Sequence, residues 1–262
     1  MDDLSLVTDR EEVQLPHCGN CNRPVHENSR FCNHCGHVIT EISEGSTEEK
    51  WNAIKQTALF FAISAVACCV FSFVDYFKTF TWSIVFDAFL AIVALVFFTI
   101  NWSKLKNVLV WHNFSISRLL GYCGIAVVGS LVVSFLVGWI NRSLFSTEFS
   151  YYEFYASHRH SIALAIFFVA VMPALFEELG YRGFLLGKLM LITDKQQAIF
   201  ISSFVFAIMH RSVISLFWLI PFALLLGHVR TKEKTLWYGV CMHFCFNFTA
   251  VMLEIISVRH PL

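Results

Sequence analysis

The chain has 262 residues, 56% of them hydrophobic and only 15% charged, with a mean hydropathy of +0.61 and a formal net charge of zero. Soluble domains carry about a quarter charged residues, and here the apolar residues run in long blocks, not in alternating or amphipathic patterns. This excludes an ordinary water-soluble globule and offers no global charge for a nucleic-acid partner. It points to an all-α, polytopic integral membrane bundle.

Residues 1–15 read as a disordered, acidic lead. Met1 to Glu12 lacks the apolar core of a cleavable signal peptide, so the first apolar span, after Trp51, is expected to serve as the insertion signal. Residues 16–39 then place Cys18, Cys21, Cys32 and Cys35 in a Cys-x2-Cys-x10-Cys-x2-Cys pattern. Each Cys-x2-Cys turn presents two thiolates, and tetrahedral zinc takes four such ligands. Gly19 and Gly36 would let the backbone turn tightly beside the metal. The segment is too short for a core of its own, so a structural zinc would supply the folding energy. Two disulfides or a reduced tail are the competing readings, and His17, His34 and His37 are competing ligands. The spacing resembles the short zinc ribbons found at the N-termini of many prokaryotic proteins. A ribbon of this kind is a candidate surface for recruiting a protein partner. The other five cysteines lie in apolar runs, where cysteine is usually a small buried hydrophobe.

Residues 40–56, polar and acidic, read as a flexible linker. About seven spans follow, near Thr57–Phe77, Trp82–Ile100, Leu119–Ile140, Ser161–Gly187, Gln197–His210, Val213–His228 and Thr235–Ser257. The fifth and sixth are short, and their weak break at Arg211-Ser212 is either a tight turn or a re-entrant pair. With the N-terminus cytoplasmic, the inside loops hold Lys104, Lys106, Arg118, Lys188, Lys195, Arg230, Lys232 and Lys234, whereas basic residues outside are sparse. The positive-inside rule favours that orientation, and thiolates stay reduced in the cytosol. The aromatic stretch from Phe145 to Tyr155 is expected to rest at the outer interface as an anchoring belt. Asp75, Asp87 and Glu254, in or near spans, receive no role, and His158, His160 and His228 read as solvated.

Three polar constellations interrupt the apolar spans. The first is Glu177-Glu178-x3-Arg182, where a buried charge in hydrocarbon marks function more often than accident. On an α-helix Glu178 and Arg182 lie four apart and can pair. Glu177 points about 100° away from its neighbour, which leaves it for chemistry. Pro173 cannot donate to the Val169 carbonyl, so the helix should kink and free that oxygen near the acids. The second is Phe206-x3-His210 and the third His243-x3-Asn247, each on one helical face. Taken singly, both have a bland explanation as bonds between neighbouring helices. Depth joins them: by helical rise Glu177, His210 and His243 lie roughly 16, 20 and 12 Å from the cytoplasmic boundary.

The ordered set Glu-Glu-x3-Arg, Phe-x3-His and His-x3-Asn resembles the CPBP family, which comprises CAAX prenyl endopeptidases and bacteriocin-processing (Abi) proteins. The resemblance covers residues 160–257, leaving the ribbon and the helices and outside loop of residues 57–159 beyond it. It implies an intramembrane endopeptidase acting on a membrane-associated peptide or protein. Glu177 and His210 would activate a water, and His243 and Asn247 would stabilise the oxyanion. A carboxylate kept from bulk water makes a better base, and preorganised donors in low dielectric suit an oxyanion. A catalytic zinc held by the same residues ranks second, since no His-Glu-x2-His helix is present. The alternative function is a non-proteolytic bacteriocin-immunity or scaffold protein of the same fold. A proton-relaying transporter predicts inverted repeats, and none is visible.

Overall fold

The computed structural model describes residues 17–25, 31–37, 46–145 and 151–259. The disordered lead expected at 1–15 lies outside them. The chain divides into two units, Met1–Glu44 and Gly45–Leu262.

The small unit holds two matching knuckles. In the first, Cys18 N–H donates to Arg23 O and Asn22 N–H returns to Cys18 O. In the second, Cys32 N–H donates to His37 O and Gly36 N–H to Cys32 O. The residue after the second cysteine of each pair turns left-handed, Gly36 at φ 71° and Asn22 at φ 54°. Asparagine is the commonest non-glycine choice there. The tight turn of the first knuckle is thus made by Asn22, not by Gly19, whose φ is ordinary.

The large unit is a bundle of seven long helices: α1 (Thr47–Phe73), α2 (Phe80–Ile100), α3 (Ile116–Ile140), α4 (Ser161–Leu189), α5 (Lys195–Met209), α6 (Leu216–Glu233) and α7 (Trp237–Arg259). They stand where the seven apolar segments were expected. Among the described residues, only α1, α2, α3, α4 and α7 are long and apolar enough to cross a membrane, so seven spans reduces to five by that measure. With 15 residues, α5 rises about 22 Å at 1.5 Å per residue, short of the ~30 Å hydrocarbon layer. The last turn of α6 is basic, with Arg230 and Lys232. Arg211 takes a left-handed turn between α5 and α6, at φ 54°.

Helix α1 begins ten residues earlier than expected, so the second half of the 40–56 linker is helical. Ser46 caps it by accepting from Glu49 N–H at 3.1 Å, with Glu48 and Glu49 in the first turn. Ser46-x2-Glu49 is the spacing of a capping box, and acids favour a helix N-terminus.

The outward faces of the bundle are strongly apolar: Phe73 is 80% exposed, Phe135 70% and Phe217 81%. Soluble monomers do not display apolar surface on this scale, and lipid accounts for it. This is an integral membrane protein. Inside, small residues bring the backbones together. A Cβ on Gly180 would stand 3.2 Å from Ala94 Cβ, and one on Gly183 2.9 Å from Phe98 Cε2. Phe60, Phe97, Phe98 and Phe184 fill the space around them. The described part of the outer aromatic stretch forms a short helix, Tyr151–Ala156. Tyr152 and Tyr155 do not lie out as a belt; they pack inward against Ala165, Val251 and Ile255, and Tyr152 N–H donates to Glu254.

Candidate active site and metal centre

The site grows from the irregular winding of α4. Ile166–Val171 and Glu178–Leu185 are π-helical, with one α-helical segment, Met172–Glu177, between them. Such π segments are concentrated at functional positions because they re-aim side chains. Pro173 lacks an N–H, and the Val169 carbonyl it cannot serve is taken by Asn247 Nδ2 at 2.9 Å. The freed oxygen anticipated from Pro173 therefore exists, and α7 satisfies it. Asn247 keeps its second amide N–H.

Glu178 is fully buried. Its Oε1 accepts from Arg182 Nη1 at 2.9 Å and faces His243 Nδ1 at 3.0 Å. Arg182, itself 1% exposed, also donates from Nη2 to Ala223 O at 3.4 Å. Its guanidinium lies over the Phe206 ring, 4.3 Å from the centroid, a favourable site for a desolvated cation. Breaking a pair this deeply buried strands a charge, so its members stand or fall together.

Glu177 sits one residue earlier with its side chain 31% exposed. Its Oε2 is buried without a hydrogen-bond partner, and His243 Nε2 stands 3.8 Å away, too far for a hydrogen bond. One imidazole therefore addresses both acids, Nδ1 toward Glu178 and Nε2 toward Glu177. The expectation that the two acids serve separate surfaces holds for burial but not for partners, because His243 joins them.

His210 closes the C-terminal end of α5 and is exposed. Its Nδ1 pairs with Phe206 O at 3.0 Å. A carbonyl only accepts, so Nδ1 carries the proton and Nε2 is the basic nitrogen. No ion pair joins His210 to Glu177 among the described residues. What links the histidines is Phe206, 1% exposed, with ring centroids 4.9 Å from His210 and 6.0 Å from His243. Glu177, Glu178, Arg182, His243 and Phe206 form one cluster. His210 enters it through Phe206, and Asn247 borders it through α4.

Two contributors were not anticipated. A Cβ on Gly239 would meet Glu178 Oε2 at 3.0 Å, so glycine there leaves the buried acid its room. Gly239 lies four residues before His243, on the same helical face, a spacing that signals it. Arg211 donates from Nη1 to the Cys68 carbonyl of α1, tying the turn after His210 to another helix. No sequence signal foretells that pairing, because it joins residues 143 apart.

The four ribbon cysteines converge as expected. Their sulfurs all lie within 4.8 Å of one another, with Cys18–Cys35 at 3.7 Å and Cys21–Cys32 at 3.5 Å. Zn–S bonds of about 2.3 Å in a tetrahedron place the sulfurs roughly 3.8 Å apart. Backbone N–H groups of Asn20 and His34 point at Cys18 and Cys32 sulfurs. The His34 N–H leads in holding the Cys32 thiol down to about 6, as a thiolate ligand requires. All four cysteines are free of disulfides. His34 Nδ1 instead meets Arg23 Nη1 at 3.1 Å. The donor set fits a tetrahedral thiolate-bound metal.

In comparisons with the curated proteins and with the solved structures, nothing matches this chain significantly. A family model does match: residues 159–249 fit the one described as type II CAAX prenyl endopeptidase Rce1-like. The matched stretch runs from just before α4 to just past Asn247 and contains all three motifs. The resemblance drawn from those motifs is thereby borne out: residues 159–249 are similar to that Rce1-like family.

Proposed function

We propose that the protein is an intramembrane endopeptidase in which Glu177 is the general base. The observation that carries this reading is the division between the two adjacent acids. Each acid keeps one buried Oε2 without a partner, but Glu178 is fully buried with its Oε1 held by Arg182 and His243, whereas Glu177 has no such pair and its side chain is 31% exposed. A free carboxylate oxygen beside oriented imidazoles suits deprotonation of a water that attacks a peptide carbonyl. His210, with Nε2 unprotonated, is the second acceptor for that water. Donation to the oxyanion comes from the spare Asn247 N–H and from His243, which both glutamates flank. Phe206 braces this machinery through its contacts with Arg182 and both histidines.

The ribbon holds zinc through Cys18, Cys21, Cys32 and Cys35, where it supplies structure and no step of the reaction. It offers a recruiting surface for a substrate or protein partner on the cytoplasmic side of the cell membrane, as the distribution of lysine and arginine favours.

Membranes from cells carrying the wild-type protein and Glu177→Ala are compared by quantitative proteomics. A membrane peptide or protein that accumulates uncut only with the variant is the expected outcome and names the substrate. Identical peptide termini in both samples would defeat the proposal, and a phenotype surviving Glu177→Ala would point to the immunity or scaffold role.

A further inference from the structure

Away from the acids, three membrane helices end around one polar cavity. It occupies about 370 Å³ between the first turns of α1, the end of α2 with the Trp102–Leu105 turn, and the end of α4, and is lined by Glu49, Asn52, Gln56, Asn101, Lys104 and Lys188. Asn101 is committed to the protein, its Nδ2 donating to Gln56 Oε1 at 3.0 Å and to Phe97 O at 2.8 Å. Holding the Gln56 oxygen leaves the Gln56 amide N–H groups as donors. Glu49 is committed to Lys104, and Glu48, also at the rim, is exposed.

Lys188 is different. It is only 6% exposed, lines the cavity, and makes no hydrogen bond or ion pair among the described residues. A largely desolvated lysine whose ammonium lines a cavity favours an anionic partner there. Glu49 attracts it through space but is bonded to Lys104, and Lys104, Lys188 and Arg230 outnumber Glu48 and Glu49 here. Close by, Arg230 is 8% exposed, its Nε is buried without an acceptor, and its Nη2 lies 3.9 Å from where a Cβ on Gly187 would stand. This end of the bundle therefore carries surplus positive charge. The cavity also lies where the apolar runs of α1, α2 and α4 stop, the depth of lipid headgroups, and basic pockets between membrane helices are recurrent headgroup sites.

We propose that this cavity binds a phosphate group, with Lys188 as the anchoring cation and Lys104 and Gln56 as further donors. The phosphate belongs either to a lipid headgroup or to free phosphate, since both present the same oxygens. The site is independent of Glu177 and of the proteolytic reading.

Purified full-length protein in neutral detergent is titrated with short-chain phosphatidylglycerol, with diacylglycerol of the same chains, and with inorganic phosphate, following Tm. Phosphatidylglycerol is expected to raise Tm saturably and diacylglycerol not to. An equal rise with inorganic phosphate assigns the site to free phosphate; a rise with the lipid alone assigns it to the headgroup. Lys188→Met should weaken the apparent affinity by about tenfold or more, the loss of a charge-assisted bond, without lowering the ligand-free Tm. Asn52→Asp, at an exposed position of α1, places a negative charge at the cavity and should weaken binding similarly, which keeps the test sound if Lys188→Met does not fold. No response of the wild-type protein to either phosphate source, equal responses to phosphatidylglycerol and diacylglycerol, or variants responding like wild type would overturn the proposal.

Discussion

The ribbon and the membrane bundle solve the same problem, clustering polar ligands in a small space, in opposite ways. The ribbon gathers four thiols from two copies of one local turn, within 18 residues from Cys18 to Cys35. Four thiolates so close repel one another, and the proposed zinc would relieve that repulsion. The bundle gathers Glu178, Arg182 and His243 from helices 65 residues apart in sequence, and the charges relieve one another. Glu178, fully buried and paired through Oε1 with Arg182 and His243, is built as a strut. Glu177, partly exposed and without such a pair, is the acid to which the proposed function gives the chemistry.

Metal removal separates the two most strongly. Structural zinc in small ribbons contributes about 10–16 kcal/mol of apparent folding free energy. Chelation, or Cys32→Ser, is therefore expected to unfold residues 17–37, read as loss of amide protection there, while the Tm of the bundle stays put. A bundle that melts with the ribbon would break the contrast. Metal content should fall from one equivalent to none in the cysteine variant. Acidification gives the same answer with a sign. The His34 N–H leads in holding Cys32 down to about 6, whereas, against the Arg23 N–H, burial and the neighbouring thiols push Cys21 up to about 12. Because binding requires thiolates, the metal affinity falls as pH drops.

Inside the bundle, Arg182→Met leaves Glu178 buried and uncompensated. The expected loss is about 3–5 kcal/mol, measured by thermal unfolding in detergent, and adding Glu178→Gln should recover part of it. A neutral Arg182→Met would mean the pair is not the strut described. Gly239→Ala forces a Cβ against Glu178 Oε2 and should cost about 1–3 kcal/mol through overpacking. Of similar size is Asn247→Leu, which orphans the Val169 carbonyl for about 1–3 kcal/mol and, in the proposed function, removes an oxyanion donor as well. Its activity loss should therefore exceed what its folded fraction explains.

Much of this was legible in the sequence, and the limits have physical causes. The ribbon was readable because its ligands are local and its period short, although the left-handed turn at Asn22 was missed because glycine drew the attention. Long apolar runs located all seven helices. The start of α1 was placed late because hydropathy marks where lipid begins, not where helix begins, and Ser46-x2-Glu49 was the overlooked signal. The Glu178–Arg182 pair and the oxygen freed by Pro173 followed from helical spacing. His243 reaching both acids did not, because the π winding of Glu178–Leu185 changes the angle between neighbours and that winding has no plain sequence mark. Lys188, read as an ordinary inside-loop cation, is buried for a reason only tertiary packing shows.

The central claim is that Glu177 supplies the base while Glu178 supplies the frame, and one measurement addresses it directly. The cleavage rate of purified Glu177→Gln is compared with wild type on the substrate identified in membranes, at matched folded fraction. Loss of a general base predicts a drop of about 10²–10⁴-fold with an unchanged Tm. Cleavage at the wild-type rate would contradict the account.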